Sequence, residues 1–228
     1  SMKIGIVVAM QKELKLLLPL LHNAVEKNIS GYTVTEGTIG DNTVALLQCG
    51  IGKVNAALSV DFLIRFMNPD IIINSGVAGG SDPSMHVLDI FVADEVTYHD
   101  VWCGPETNYG ATAGMEARMK ADDNFVGKAV AAVPCEKLKR GLICSGDKFI
   151  TTPEEIKEIK SHFPDSLAVD MESGAVAQVC RRNNVPFGVI RVISDTPGEA
   201  ENISQYEDFW TKAPEATFEV VRDILASL

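Results

Sequence analysis

The feature that most limits how this chain can fold is an alternation of two patterns along its length. Short runs rich in β-branched residues, over residues 3–9, 71–74, 90–93, 141–144 and 187–194, read as buried strands. Between them, apolar residues recur at helical spacing over 11–21, 53–67, 153–161, 173–184 and 206–228. Strands that are apolar on both faces need cover on both sides, and the intervening helices supply it. The order therefore predicts an α/β fold, a three-layer α/β/α arrangement with a mixed central sheet flanked by helices. Residues 32–48 alternate around Gly40-Asp41-Asn42, which predicts a hairpin. No repeat, low-complexity tract or linker-like shift interrupts the chain. Residues 2–228 thus read as one domain, with Ser1 as a cloning remnant.

Charge narrows the partners. Twenty Lys and Arg stand against thirty-one Asp and Glu, a net charge of −11. Nucleic-acid backbones and anionic lipid would be repelled at long range, so neither nucleic acid nor membrane is an expected partner, and a small molecule is. Cys49, Cys103, Cys135, Cys144 and Cys180 are widely spaced, odd in number and form no CxxC pair. That usage suits a reducing compartment without structural disulfides. The apolar start is too short for a signal-peptide core, and no stretch approaches the roughly 20 apolar residues of a bilayer span. A cytoplasmic location is the expectation.

In open α/β sheets, ligands sit at the carboxyl ends of strands, so functional side chains should fall just after a strand. Four places qualify: residues 10–13, the stretch SGVAGG over 75–80, residues 170–172, and Ser194-Asp195. Three of the four bring an acid. Other chemistries find little support. CGIGKVNA, residues 49–56, suggests a phosphate loop, but Leu47 and Val54 stand where that motif needs Gly and a hydroxyl, and Asn55 stands where the dinucleotide fingerprint needs Gly. Its glycines read instead as a tight strand-to-helix turn. His22, His86, His99 and His162 never fall at metal-ligand spacing, and no GxSxG elbow occurs. Acid and base chemistry by carboxylates remains. Alternation along an extended strand puts Arg191 and Asp195 on one face, and Asp170 and Glu172 on one face. Taken singly, Arg191 could form a buried ion pair and Glu172 could cap the helix at Ser173. Three acids ending three apolar strands point further, because burial raises a carboxyl pKa and lets one acid donate a proton while another stays ionised.

The segments KIGIVVAMQKE, CGIGKVNAA, PDIIINSGVAGG, VADEVTYHDV, GLICSGDKFI, AVDMESGAVAQVC and VPFGVIRVISD run in this order along nearly the whole chain. In this the chain resembles the nucleoside phosphorylase/nucleosidase superfamily and, within it, the 5′-methylthioadenosine/S-adenosylhomocysteine nucleosidases. The resemblance implies a nucleoside phosphorylase-like fold and hydrolysis of the N-glycosidic bond of an adenine nucleoside, with water as nucleophile and neither cofactor nor metal. It implies Glu13 as general base and Asp195 as the acid that protonates adenine N7. Glu172 would hold the ribose hydroxyls, with Met171 against the sugar. Phe149 would stack on adenine, the Ile150 backbone would read its edge, and Gly79 would line the site. Met10, Ile51, Ala78, Ser194 and Tyr206 complete the implied substrate site, and Arg191 and Asp170 support it.

Three departures accompany the resemblance. Val77 stands where a serine is common, and Ala111 and Ala113 stand for Gln and Pro in the stretch 101–119, which in the family crosses a homodimer interface to cover the 5′ group. Tyr206 takes the place of a phenylalanine that closes the site. The 5′ substituent therefore stays open, with aminodeoxyfutalosine or 5′-deoxyadenosine as further substrates. A phosphate-dependent phosphorylase and a non-catalytic nucleoside-binding protein are the alternatives. Against phosphate, the chain has no arginine before Arg65, and Glu13 would repel an anion.

Overall fold

A computed structural model describes residues 1–133, 136, 138–212 and 214–228. Among these, one mixed sheet contains β1 (Lys3–Val8), β2 (His22–Ile29), β3 (Tyr32–Ile39), β4 (Asn42–Gln48), β5 (Ile71–Gly80), β6 (Ile90–Tyr98), β7 (Met119–Lys120), β8 (Leu138–Ser145), β9 (Ser166–Asp170) and β10 (Phe187–Asp195). Helices α1 (Gln11–Leu17), α2 (Lys53–Met67), α3 (Asp123–Ala132), α4 (Pro153–His162), α5 (Ser173–Arg182), α6 (Asn202–Thr211) and α7 (Glu215–Ala226) flank it. Cys49, Cys103, Cys144 and Cys180 are free thiols, and Cys135 lies outside the described residues. No helix among the described residues is long and apolar enough to cross a membrane.

The expected mixed sheet with flanking helices is present, and it also closes on itself. β5 pairs in parallel with β1 and with β10, and at its far end Gly79 and Gly80 pair with β9. Since β10 also pairs β6, β6 pairs β8, and β8 pairs β9, the strands β5, β10, β6, β8 and β9 form a ring. β1, β4, β3 and β2 extend from β5 as an open wing. Closure depends on small residues where strands cross. A Cβ on Gly79 would lie 3.0 Å from Val169 Cγ2, and one on Gly80 would lie 2.9 Å from Met85 Cβ. The stretch 75–80 therefore lies inside β5 rather than after it.

Other differences have local causes. α1 stops at Leu17 and tightens into a 3-10 turn over Leu18–Leu20, because Pro19 offers no N–H to an α-helix. The apolar spacing over 206–228 spans two helices, with Pro214 ahead of α7. β2 escapes the period-2 pattern because it is an edge strand, exposed nearly throughout and paired only with β3. α3 is marked chiefly by its cap, where Asp122 Oδ2 accepts from Phe125 N at 3.0 Å.

Candidate active site

At the carboxyl ends of β1, β4, β5, β9 and β10 lies a cavity of about 580 Å³, counting its part open to solvent. That lies within the roughly 300–1,000 Å³ usual for small-molecule sites. Every residue singled out above lines it: Met10, Glu13, Ile51, Ala78, Gly79, Phe149, Ile150, Asp170, Met171, Glu172, Ser194, Asp195, Tyr206 and, at its floor, Arg191. Ala9, Val77, Lys148 and Val169 line it too.

Glu13 is buried in the first turn of α1 and its carboxylate is fully engaged. Oε1 accepts from Ala9 N at 3.1 Å and Met10 N at 2.9 Å, and Oε2 accepts from Val77 N at 2.8 Å. A Cβ on Gly76 would come 2.2 Å from Oε2, so only glycine lets the strand pass this close. Burial raises the Glu13 pKa, against the pull of Arg191 and of the three N–H groups.

Arg191 is only 2 % exposed and organises the floor. Its Nη2 donates to Asn74 Oδ1 at 2.6 Å and to Glu172 Oε1 at 3.2 Å, and Nη1 donates to the Val77 carbonyl at 2.6 Å. Nε lies 2.9 Å from Asp170 Oδ2, an ion contact without hydrogen-bond alignment. Burial works against the guanidinium charge, but Asp170, Glu172 and Glu13 together hold it protonated. Arg191 bonds to Glu13 not directly but through Val77, whose carbonyl faces the arginine and whose N–H faces the glutamate.

Asp170 and Glu172 divide the work at the start of α5. Asp170 supplies the local bonds, accepting from Ser173 N at 3.2 Å and Ser173 Oγ at 2.8 Å. Glu172 occupies the N-cap position but makes no capping bond with its side chain. Its Oε2 instead accepts from Gly52 N at 2.9 Å, across 120 residues of sequence. Burial, opposed by Arg191 and aided by Asp170, pushes its pKa up to about 7. The folded protein thus holds this proton more tightly than the unfolded chain, whose ordinary value is 4.5. The stabilisation from this group is complete below about pH 4.5 and is lost as pH rises through about 7. Glu172→Gln, neutral at every pH, is expected to melt progressively higher relative to wild type between about pH 5 and pH 8. A melting difference that does not change with pH contradicts the assignment.

Asp195 ends β10 beyond a bulge between Ile193 and Asp195. Strict alternation would turn either Ser194 or Asp195 away from the cavity, and the bulge lets both face it. Asp195 Oδ1 accepts from Ser194 Oγ at 2.8 Å and Oδ2 accepts from Asn202 Nδ2 at 3.2 Å. Burial raises its pKa, against these two bonds. A carboxyl of raised proton affinity set in a partly apolar cavity can donate a proton.

The mouth is aromatic. Phe149 meets Tyr206 edge to face at 5.3 Å between ring centres, and the Tyr206 hydroxyl lies 3.6 Å from Met10 Sδ. Burial and Glu172 push the nearby Cys49 thiol up to about 12, which keeps it protonated and a poor nucleophile. Gly52, Asn74, Gly76 and Asn202 belong to the site and were not anticipated one by one. Gly76 was signalled by the small-residue run, while Asn74 and Asn202 carry no sequence signal because their partners are remote. No residue of the 101–119 stretch lines this cavity. Tyr109 instead stacks on His162 at 3.6 Å, holding part of that stretch against α4.

Residues 3–226 match the family model of the phosphorylase superfamily. The chain is 42% identical over 233 residues to a 5′-methylthioadenosine/S-adenosylhomocysteine nucleosidase of Lysinibacillus sphaericus, covering 100% of both chains. It is 40% identical to the protein of the same description from Anoxybacillus flavithermus, covering 97% of each. Among solved structures, the nucleosidase of S. pneumoniae with the transition-state inhibitor MT-ImmA superposes with a TM-score of 0.94 at 35% identity, over 99% of each chain.

Proposed function

The chain belongs to the phosphorylase superfamily and, within it, to the 5′-methylthioadenosine/S-adenosylhomocysteine nucleosidases, and on that footing we propose how its cavity does the chemistry. It hydrolyses the N-glycosidic bond of 5′-methylthioadenosine and S-adenosylhomocysteine, releasing adenine and the 5′-substituted ribose. Asp195 protonates adenine N7 so that the base departs neutral. Glu13 takes the proton of the attacking water, and Glu172 holds the ribose hydroxyls with Met171 against the sugar. Phe149 stacks on the purine while the Ile150 backbone reads its edge. The sugar gains oxocarbenium character as the bond breaks, and fixed carboxylates in a water-poor cavity stabilise that charge. Acid and base assistance each contribute about 10²–10⁴-fold.

One observation carries the reading. Glu13 and Asp195, both buried and both of raised proton affinity, face one cavity whose cationic groups are engaged by other partners. Arg191 is surrounded by Asp170, Glu172, Asn74 and the Val77 carbonyl, and Lys148 Nζ pairs with Glu155 at 2.8 Å. A phosphate nucleophile needs cationic or N–H donors. The Val77, Ala9 and Met10 N–H groups that could serve are taken by Glu13. Water is therefore the nucleophile. Incubation with 5′-methylthioadenosine is expected to release adenine and free methylthioribose at the same rate with and without phosphate. A sugar 1-phosphate whose formation requires phosphate would overturn the hydrolase.

The working unit is a homodimer in which residues 101–119 of each copy cover the 5′ side of the neighbouring cavity. What supports this is an apolar surface beside the site, where Ile51, Val54, Leu58 and Trp102 are each more than half exposed. Sedimentation at micromolar concentration is expected to give twice the chain mass of 24.6 kDa.

A further inference from the structure

Just outside the cavity, three short hydrogen bonds join parts of the chain that the proposed mechanism treats separately. Lys53 N, at the first turn of α2, donates to Asp147 Oδ1 at 2.8 Å. Asp147 N donates to Asp100 Oδ2 at 2.9 Å, and Lys53 Nζ donates to Asp100 Oδ1 at 2.7 Å. The three residues close a loop of contacts that links the start of α2, the residue after β6, and the segment carrying Phe149 and Ile150. One residue earlier, Gly52 N donates to Glu172 Oε2. Two adjacent N–H groups of one helix start are thus divided between the carboxylate at the ribose side and a carboxylate at the base of the purine segment. No side chain of the turn itself caps α2. The four free N–H groups of a helix start need acceptors, and carboxylates there are favoured by the helix dipole. Gly52 has φ +96°, and a Cβ there would lie 3.0 Å from Asp147 Oδ1, so the residue type matches this close approach.

We infer that Asp147 is a positioning residue: by bonding the N–H next to the one that holds Glu172, it fixes the purine-stacking segment at a set distance from the ribose carboxylate. Asp147 does not line the cavity, so it acts through Phe149, Ile150 and Glu172 rather than on substrate. Loss of the link lets the purine and ribose grips move independently. An intact nucleoside, which spans both grips, suffers more than free adenine, which uses one.

The inference rests on the nucleosidase reading, and wild-type turnover of 5′-methylthioadenosine measured alongside tests that reading separately. Asp147→Ala is expected to lower kcat/KM for 5′-methylthioadenosine by about 10–100-fold, while the Kd for adenine changes by less than about threefold. Asp147→Asn keeps an acceptor oxygen at Oδ1 and is expected to recover most of the loss. Hydrogen exchange in the substrate-free protein is expected to quicken over residues 50–56 and 146–151 in Asp147→Ala alone. The inference is overturned if the alanine variant keeps kcat/KM within about twofold. It is also overturned if adenine and nucleoside binding fall equally, or if asparagine restores nothing. Should Asp147→Ala fail to fold, Lys53→Met removes the Asp100 strut and leaves the backbone bond. It then carries the same nucleoside-over-adenine selectivity, and equal losses for the two ligands overturn the inference.

Discussion

Asp195→Asn is expected to lower kcat on 5′-methylthioadenosine by about 10²–10⁴-fold while KM and the unfolding midpoint change little. Asparagine has the same shape and keeps an oxygen for Ser194 Oγ, whose bond to Asp195 Oδ1 is 2.8 Å. It removes only the transferable proton. The protein tolerates the change because burial already disfavours the Asp195 charge, and a neutral amide relieves that cost. The same raised proton affinity keeps more of the wild-type acid protonated than an exposed aspartate would be. Activity is therefore lost as pH rises through its folded pKa, and the variant loses that alkaline limb along with the rate. Turnover within about tenfold of wild type would assign the proton to another group.

Arg191→Met is expected to destabilise the fold by about 3–5 kcal/mol, because it leaves Asp170, Glu172 and Glu13 buried around a vanished cation. For a chain of this size, that corresponds to a fall in melting temperature of roughly 10 °C. The deficit is pH-dependent, and its sign follows from the carboxylates. Without the guanidinium their folded pKa values rise further above the unfolded ones, so the folded variant binds protons more tightly still. Its stability then falls more steeply as pH increases, and the gap to wild type widens between about pH 5 and pH 8. Methionine fills much of the volume, so a cavity is not the main cost. A deficit independent of pH would mean that packing, not charge, is what Arg191 contributes. Activity falls with stability, since the Val77 carbonyl loses the Nη1 bond that sets its N–H against Glu13.

Both variants target residues that stand out in the sequence, though for different reasons. Asp195 is visible because a β-branched run ends on it, and Arg191 because an arginine inside such a run must find partners. The partners themselves were only partly legible. Asp170 and Glu172 looked equivalent two residues apart, and a helix cap was one account of Glu172. The structure gives the local bonds at the helix start to Asp170 and sends Glu172 to Gly52 and Arg191.

The residue order by itself determined the alternation of strands and helices, the hairpin over 32–48, the acids at strand ends and the resemblance to a nucleosidase family. Those properties depend on neighbours in sequence, where the periods of 2 and 3.6 and the turn residues act directly. Only the tertiary structure decided that β5 pairs with both β9 and β10 and closes a ring. Nor could sequence decide that the β10 bulge turns Ser194 and Asp195 to one cavity, or that adjacent N–H groups of α2 hold Glu172 and Asp147. These are contacts between residues far apart in the chain, chosen by how small side chains let strands and turns approach, and no local period encodes them.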